Sequence, residues 1–121
     1  MKHKFREYKS WALVTGAASG MGRIYALRLA EMGYNVVLVD INARGLSETA
    51  GLVRAEVTAS SRVPQEMKER LSVIELVQDL SLPDAADTIF ARTEEASCEL
   101  EVLVNNAGVM YCQAVHATSE K

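Results

Sequence analysis

Thr15-Gly16-Ala17-Ala18-Ser19-Gly20-Met21-Gly22 joins a short apolar run to a segment rich in helix formers, and no other stretch restricts the fold so sharply. The run before it, Trp11-Ala12-Leu13-Val14, has the length and continuity of a strand buried on both faces. The segment after it, Gly20 to Met32, holds Ala, Leu, Met and Arg without proline and meets Gly33 where a C-terminal cap is expected. Glycines at such a junction let the backbone approach a ligand, and the N–H groups and dipole of the following helix favour an anion such as pyrophosphate. The competing reading is that the glycines serve only a tight turn and close helix packing.

The rest of the chain repeats the alternation. Asn35-Val36-Val37-Leu38-Val39 is a second apolar run ending at Asp40. Leu46, Ala50, Val53 and Val57 recur at helical spacing, which predicts an amphipathic helix from Ala43 to Ala59. Ser60-Ser61-Arg62-Val63-Pro64 breaks the pattern with turn residues, Gln65 to Arg70 is charged enough to be solvated, and Ser60 to Arg70 together reads as a surface insertion. A third strand, Ser72 to Val77, ends at Gln78-Asp79. Ser81, three residues before Asp84, carries an N-cap signature for a third helix from Asp84 to about Ala96, with Ala86, Ile89, Phe90 and Thr93 on one face. Leu100 to Val104 is the fourth strand, ending in Asn105-Asn106-Ala107-Gly108. Strands alternating with helices predict right-handed crossovers and a parallel sheet with helices on both faces. Ligand chemistry in that architecture gathers at the C-terminal strand ends, here Thr15-Gly16, Asp40, Asp79 and Asn105-Asn106.

Composition narrows the function. The 121 residues are 49% hydrophobic, enough for a core and consistent with one domain. Thirteen Lys and Arg against sixteen Asp and Glu leave a formal charge of −3, with no basic surplus for nucleic acid. No leader pattern opens the chain and no apolar run approaches the ~18 residues of a membrane span, so a cytoplasmic protein is expected, without a membrane partner. Cys98 and Cys112 are expected as free thiols, and His3 and His116 stand too isolated to suggest a metal site.

Asp40 sharpens the ligand. An acidic side chain at the second strand end, about twenty residues beyond the glycines, is placed to accept hydrogen bonds from the adenosine ribose hydroxyls of NAD and would repel a 2′-phosphate. The turn has no Lys or Arg before Gly20, and Arg44 is the one nearby cation, read as a solvated first-turn residue of helix two. NAD(H) is therefore expected over NADP(H).

Taken in order, Thr15-Gly16-x-x-x-Gly20-x-Gly22, Asp40, Asp79-Leu80 and Asn105-Asn106-Ala107-Gly108 resemble the short-chain dehydrogenase/reductase family, from about Ser10 to Gly108. The resemblance implies a Rossmann-like doubly wound α/β fold with strand order 3-2-1-4-5-6, and a cofactor site built from Gly16, Ser19, Gly20, Met21, Gly22, Asp40, Asp79, Leu80, Asn106 and Gly108. Ser19 and Met21 would touch the cofactor at the turn, Asp40 would select the ribose, Asp79 and Leu80 would bracket the adenine, and Asn106 would lie beside a ribose. Asn105 would stabilise the central sheet, and Met21 has packing as its alternative role. The implied reaction is hydride transfer between nicotinamide and a small alcohol or carbonyl substrate, in a homo-oligomer.

The sequence departs from the family after strand four. The family's Ser and Tyr-x-x-x-Lys pair are absent: Tyr8, Tyr25, Tyr34 and Tyr111 are followed four residues later by Ala12, Leu29, Leu38 and Val115. No tyrosine thus has the nearby cation that would lower its pKa for proton transfer near neutral pH. Residues 1–121 are accordingly expected to be the N-terminal, cofactor-binding part of one Rossmann domain truncated after its fourth strand, with no catalytic residue. The alternative is a non-catalytic dinucleotide-binding module, or sensor, that completes its sheet with a partner.

Overall fold

A computed structural model describes residues 4–106. The chain runs β1 (Trp11–Thr15), α1 (Gly20–Glu31), β2 (Asn35–Asp40), α2 (Ala43–Ala59), a short 3-10 helix (Gln65–Arg70), β3 (Val73–Val77), α3 (Ala85–Glu95) and β4 (Leu100–Val104). All strand pairs are parallel, in the order β3-β2-β1-β4. These are the first four positions of the expected doubly wound order. The register sets Val14 beside Leu38 and Val104, and Asp40 beside Val77, so the C-terminal strand ends lie along one side of the sheet.

Two apolar layers hold the sheet because successive strand residues face opposite ways. Val14, Val36 and Leu38 pack with Ala26 and Ala30 of α1 and with Leu46, Ala50, Val53 and Val57 of α2. Leu13, Val37 and Val39 face the other way, onto Ala85, Ala86 and Ile89 of α3. Phe90 packs at the margin of that second layer, as do Trp11 and Cys98, whose burial pushes its thiol pKa up. The buried faces of α2 and α3 were legible as stripes in the sequence, whereas α1 was legible from its helix formers and its Gly33 cap.

Local caps account for the element ends. Asn42 starts α2 by accepting the Gly45 N–H at 3.0 Å. Asn42→Ala should lower stability by about 1 kcal/mol, read from the urea midpoint at unchanged slope. Below the sheet, Phe5 and Tyr8 form an edge-to-face pair. The Tyr8 hydroxyl donates to the Ala30 carbonyl at 2.9 Å; burial and the Glu31 charge push its pKa up to about 12, so the donor persists well above neutral pH.

Two expectations need correction. Ser81 does not cap α3: its N–H and hydroxyl both go to Asp79 Oδ1, at 3.0 and 2.7 Å, and Asp84 is the N-cap residue without a side-chain cap bond. The short Asp79–Ser81 turn satisfies the hydroxyl locally before the helix begins. The insertion between α2 and β3 is also more than solvated chain, because Val63 is buried in the α1/α2 layer and Gln65–Arg70 closes into a 3-10 turn.

Candidate functional site

The cleft is built upward from the β1–α1 turn. Gly16 and Gly20 take φ values of 65° and 57°, the left-handed region in which a side chain costs about 1–2 kcal/mol. Gly22, in the first turn of α1, sits against Gly16: a Cβ there would lie 2.0 Å from the Gly16 carbonyl oxygen and 2.9 Å from Asn106 Nδ2. The helix thus presses directly on the turn it grows from. At Gly20 a Cβ would meet nothing within 4 Å, which leaves the turn's outer side open. Ser19 is the N-cap of α1 and makes no side-chain cap bond, and the first turn holds no acidic residue. Its leading N–H groups therefore face the cleft with the helix dipole behind them, the arrangement that suits an anion.

Asp40 closes the second side. One carboxylate oxygen accepts the Ala18 N–H at 3.1 Å and the other accepts the Asn42 N–H at 3.0 Å. The first bond ties the end of β2 to the glycine turn and the second starts the link to α2, so the carboxylate is fixed in direction while remaining partly exposed. Arg44 extends from the surface with its side chain 91% exposed and pairs with Glu48 at 3.8 Å.

The third and fourth strand ends complete the outline. Asp79 is held by Ser81, whose hydroxyl and N–H lower its pKa, while Leu80 is buried against the α3 layer. The buried Thr15 hydroxyl accepts the Asn106 N–H at 2.9 Å and donates to Asn105 Oδ1 at 3.1 Å, joining the ends of β1 and β4. These four strand ends border one open cleft of about 670 Å³. Gly16, Ser19, Gly20 and Met21 line it from the turn, and Asp40, Asp79, Leu80 and Asn106 line it from the other strands. Gly22 supports the turn from behind, and Gly108 lies outside the described residues. Met21 is 52% exposed beside the cleft, a position that disfavours its alternative role in packing.

Residues 10–121 match the short chain dehydrogenase family. The chain belongs to the short-chain dehydrogenase family. Among curated short-chain dehydrogenase relatives, a (2S)-[(R)-hydroxy(phenyl)methyl]succinyl-CoA dehydrogenase subunit from Thauera aromatica is 38% identical over 109 residues, covering 90% of this chain and 39% of that protein. A very-long-chain 3-oxoacyl-CoA reductase from Coccidioides immitis is 33% identical over 102 residues, covering 84% of this chain and 26% of that protein. The chain thus spans well under half the length of either relative. Of solved structures, L-sorbose reductase from Gluconobacter frateurii, complexed with NADPH and L-sorbose, superposes with a TM-score of 0.69 at 26% identity, covering 90% of this chain and 36% of that one. NAD+-bound xylitol dehydrogenase gives 0.66 at 28% identity, covering 88% and 35%. The structural neighbours thus include one solved with NAD+ and one solved with NADPH.

Several residues of the cleft were missed in the sequence. Ile41, Gln78 and Ser81 also line the cleft. Ile41 is 62% exposed immediately after Asp40, and an apolar residue stranded at a strand end was a signal available in the sequence. Arg23 and Thr49 lie behind the turn, with Arg23 Nε donating to Thr49 Oγ1 at 2.8 Å. A cation in the first turn of a helix runs against the dipole, and that local anomaly was the clue to Arg23. Among the described residues no cluster of three His, Cys, Asp or Glu could hold a metal ion, and no helix is long and apolar enough to cross a membrane.

Proposed function

We propose that this chain supplies the dinucleotide-binding part of an NAD(H)-dependent oxidoreductase, with residues 1–121 forming the N-terminal portion of one Rossmann-type domain. The single observation that carries the reading is Asp40: its carboxylate is tied to the glycine turn through Ala18 and borders the same cleft as Ser19, Gly20 and Met21. A dinucleotide laid across this cleft would rest its pyrophosphate on the N–H groups opening α1, the side left clear at Gly20. Its adenosine ribose would meet Asp40, with Asp79 and Leu80 flanking the adenine and Asn106 beside the second ribose. Gly108 remains a candidate by family resemblance alone.

When bound, nicotinamide supplies the hydride chemistry. The residues described here bind, orient and shield; the proton-transferring Ser and Tyr-x-x-x-Lys of the family are absent from them, so this reading assigns no catalytic residue to the chain. The substrate class is a small alcohol or carbonyl compound, in keeping with the dehydrogenase and reductase names of the relatives.

Charge supports NAD(H) over NADP(H). A 2′-phosphate would sit against the Asp40 carboxylate, and like charges placed together at a binding surface cost several kcal/mol. Arg44, the nearby cation, is turned to solvent and Glu48. Titration by ligand fluorescence should give NADH a Kd at least about tenfold below that of NADPH, a difference of ~1.4 kcal/mol. Equal or tighter NADPH binding would reverse the assignment.

The pairing of β4 among the described residues favours a second reading. Among the described residues β4 pairs with β1 alone, and Leu103 is 39% exposed on it. A non-catalytic binding module that covers this edge with a partner would also bind NADH, and it would be a stable assembly with no dehydrogenase activity toward alcohols or ketones.

A further inference from the structure

The geometry points to Arg23 of α1 as a positioning residue that holds the glycine turn in its ligand-binding shape from behind, by binding the Ala18 carbonyl directly and the Ala17 carbonyl through Thr49 of α2. This rests on the dinucleotide reading only for its functional consequence; the structural claim stands on the bonds themselves.

The peptide groups of Ala17 and Ala18 are accounted for completely. The Ala17 N–H donates to the Val39 carbonyl at 3.1 Å, and the Ala17 carbonyl accepts the Thr49 hydroxyl at 2.7 Å. The Ala18 N–H donates to Asp40, and the Ala18 carbonyl accepts Arg23 Nη2 at 2.5 Å. Arg23 also donates through Nε to Thr49 Oγ1, the same hydroxyl that donates to Ala17. One guanidinium therefore binds one carbonyl directly and sets the rotamer of the hydroxyl that binds the other. Its own direction is fixed by Glu48 at 3.5 Å and by a second carbonyl, that of Gly45, at 3.4 Å. A Cβ on Gly45 would stand 2.6 Å from the Ala18 Cβ, so α2 is seated directly on the turn.

The consequence lies on the other side of the same peptides. Ala17 and Ala18 are buried, and they precede Ser19 and Gly20, which present their backbone to the cleft. The Ala18 N–H directs the Asp40 carboxylate. The Ala18 carbonyl shares its peptide plane with the Ser19 N–H, and the Ala18 N–H shares its plane with the Ala17 carbonyl, so loss of Arg23 frees the first peptide directly and the second, with Asp40, through Thr49, because a buried carbonyl without a hydrogen bond is driven to find one. A planar fork with several donors suits this double duty, whereas the single ammonium of lysine cannot reproduce both bonds in fixed geometry.

Arg23→Met, Arg23→Lys and Thr49→Val should be compared with the parent in the intact protein by amide hydrogen exchange and by NADH titration. The expected result is at least about tenfold faster exchange of the Ala18 amide in Arg23→Met, with the β2 amides of Val37 and Leu38 unchanged. Arg23→Lys should fall between parent and Arg23→Met, and Thr49→Val should speed exchange in the same turn. NADH affinity should fall in the same order, by about tenfold in Arg23→Met, the loss of one hydrogen bond to a charged group. A folded Arg23→Met or Arg23→Lys protein whose Ala18 amide exchanges as in the parent overturns the proposal. Exchange that speeds up while the parent binds no NADH leaves Arg23 as the turn's holder and removes the dinucleotide reading instead. If Arg23→Met does not fold, Arg23→Lys and Thr49→Val decide the matter, since each removes only part of the network.

Discussion

Gly22→Ala is expected to lower folding stability by about 3 kcal/mol, at the upper end for overpacking a close contact, and to weaken NADH binding with it. The sign is the informative part. At an ordinary helix position, replacing glycine by alanine stabilises by roughly 1 kcal/mol through backbone entropy. At Gly22 the new methyl would lie 2.0 Å from the Gly16 carbonyl oxygen and 2.6 Å from the Gly16 carbonyl carbon. Those are backbone atoms in a turn held by a positive φ, so no flexible side chain can swing aside. Relief requires α1 to move off the turn, which misaligns the N–H groups that face the cleft. Gly51 provides the control. It lies on α2, is exposed, and a Cβ there meets nothing within 4 Å, so Gly51→Ala should stabilise by about 0.5–1 kcal/mol. Denaturant melts of the two variants should thus move in opposite directions, and a Gly22→Ala midpoint at or above the parent's would show that the close approach is not a constraint.

Asp40→Ala is expected to weaken NADH binding by about a hundredfold, ~2.7 kcal/mol, the size of hydrogen bonds between hydroxyls and a charged acceptor. It should also narrow the gap between NADH and NADPH, because the repulsive carboxylate is gone. Part of the loss will be structural, since the Ala18 and Asn42 N–H groups both lose their acceptor. Asp40→Asn separates the two contributions in part: its amide oxygen can still accept the Ala18 N–H, while its NH₂ group faces the Asn42 N–H and can accept neither from it nor from a ribose hydroxyl. Asp40→Asn should therefore melt between the parent and Asp40→Ala and still lose NADH affinity. Unchanged NADH affinity in both variants, in protein that still folds, would rule out the ribose contact.

How much of this was legible depended on the range of the interactions involved. The stripe Leu46, Ala50, Val53 and Val57 became the buried face of α2, because a helix must show one side to the core and the sequence records that period directly. Asp40, Asp79 and Asn106 could be named because a parallel sheet sends all its strand ends to one side, and they do border one cleft. The Ser81 cap failed for a local reason: a serine two residues after an aspartate had a nearer acceptor than the helix could offer.

The chain's periodicities and its glycine spacing alone determined the element order, the parallel sheet and the place of the cleft, since each follows from strand and helix repeats and from positions that exclude a side chain. Only the tertiary structure decided what supports the cleft. Thr49 reaches Ala17 across 32 residues and Arg23 reaches Thr49 across 26, and Val63 enters a core that its neighbours' charge concealed. Hydrogen bonds and contacts of that range are set by how helices dock on the sheet. They leave no period in the chain, because a single polar side chain satisfied at a distance looks the same in sequence as one satisfied by water.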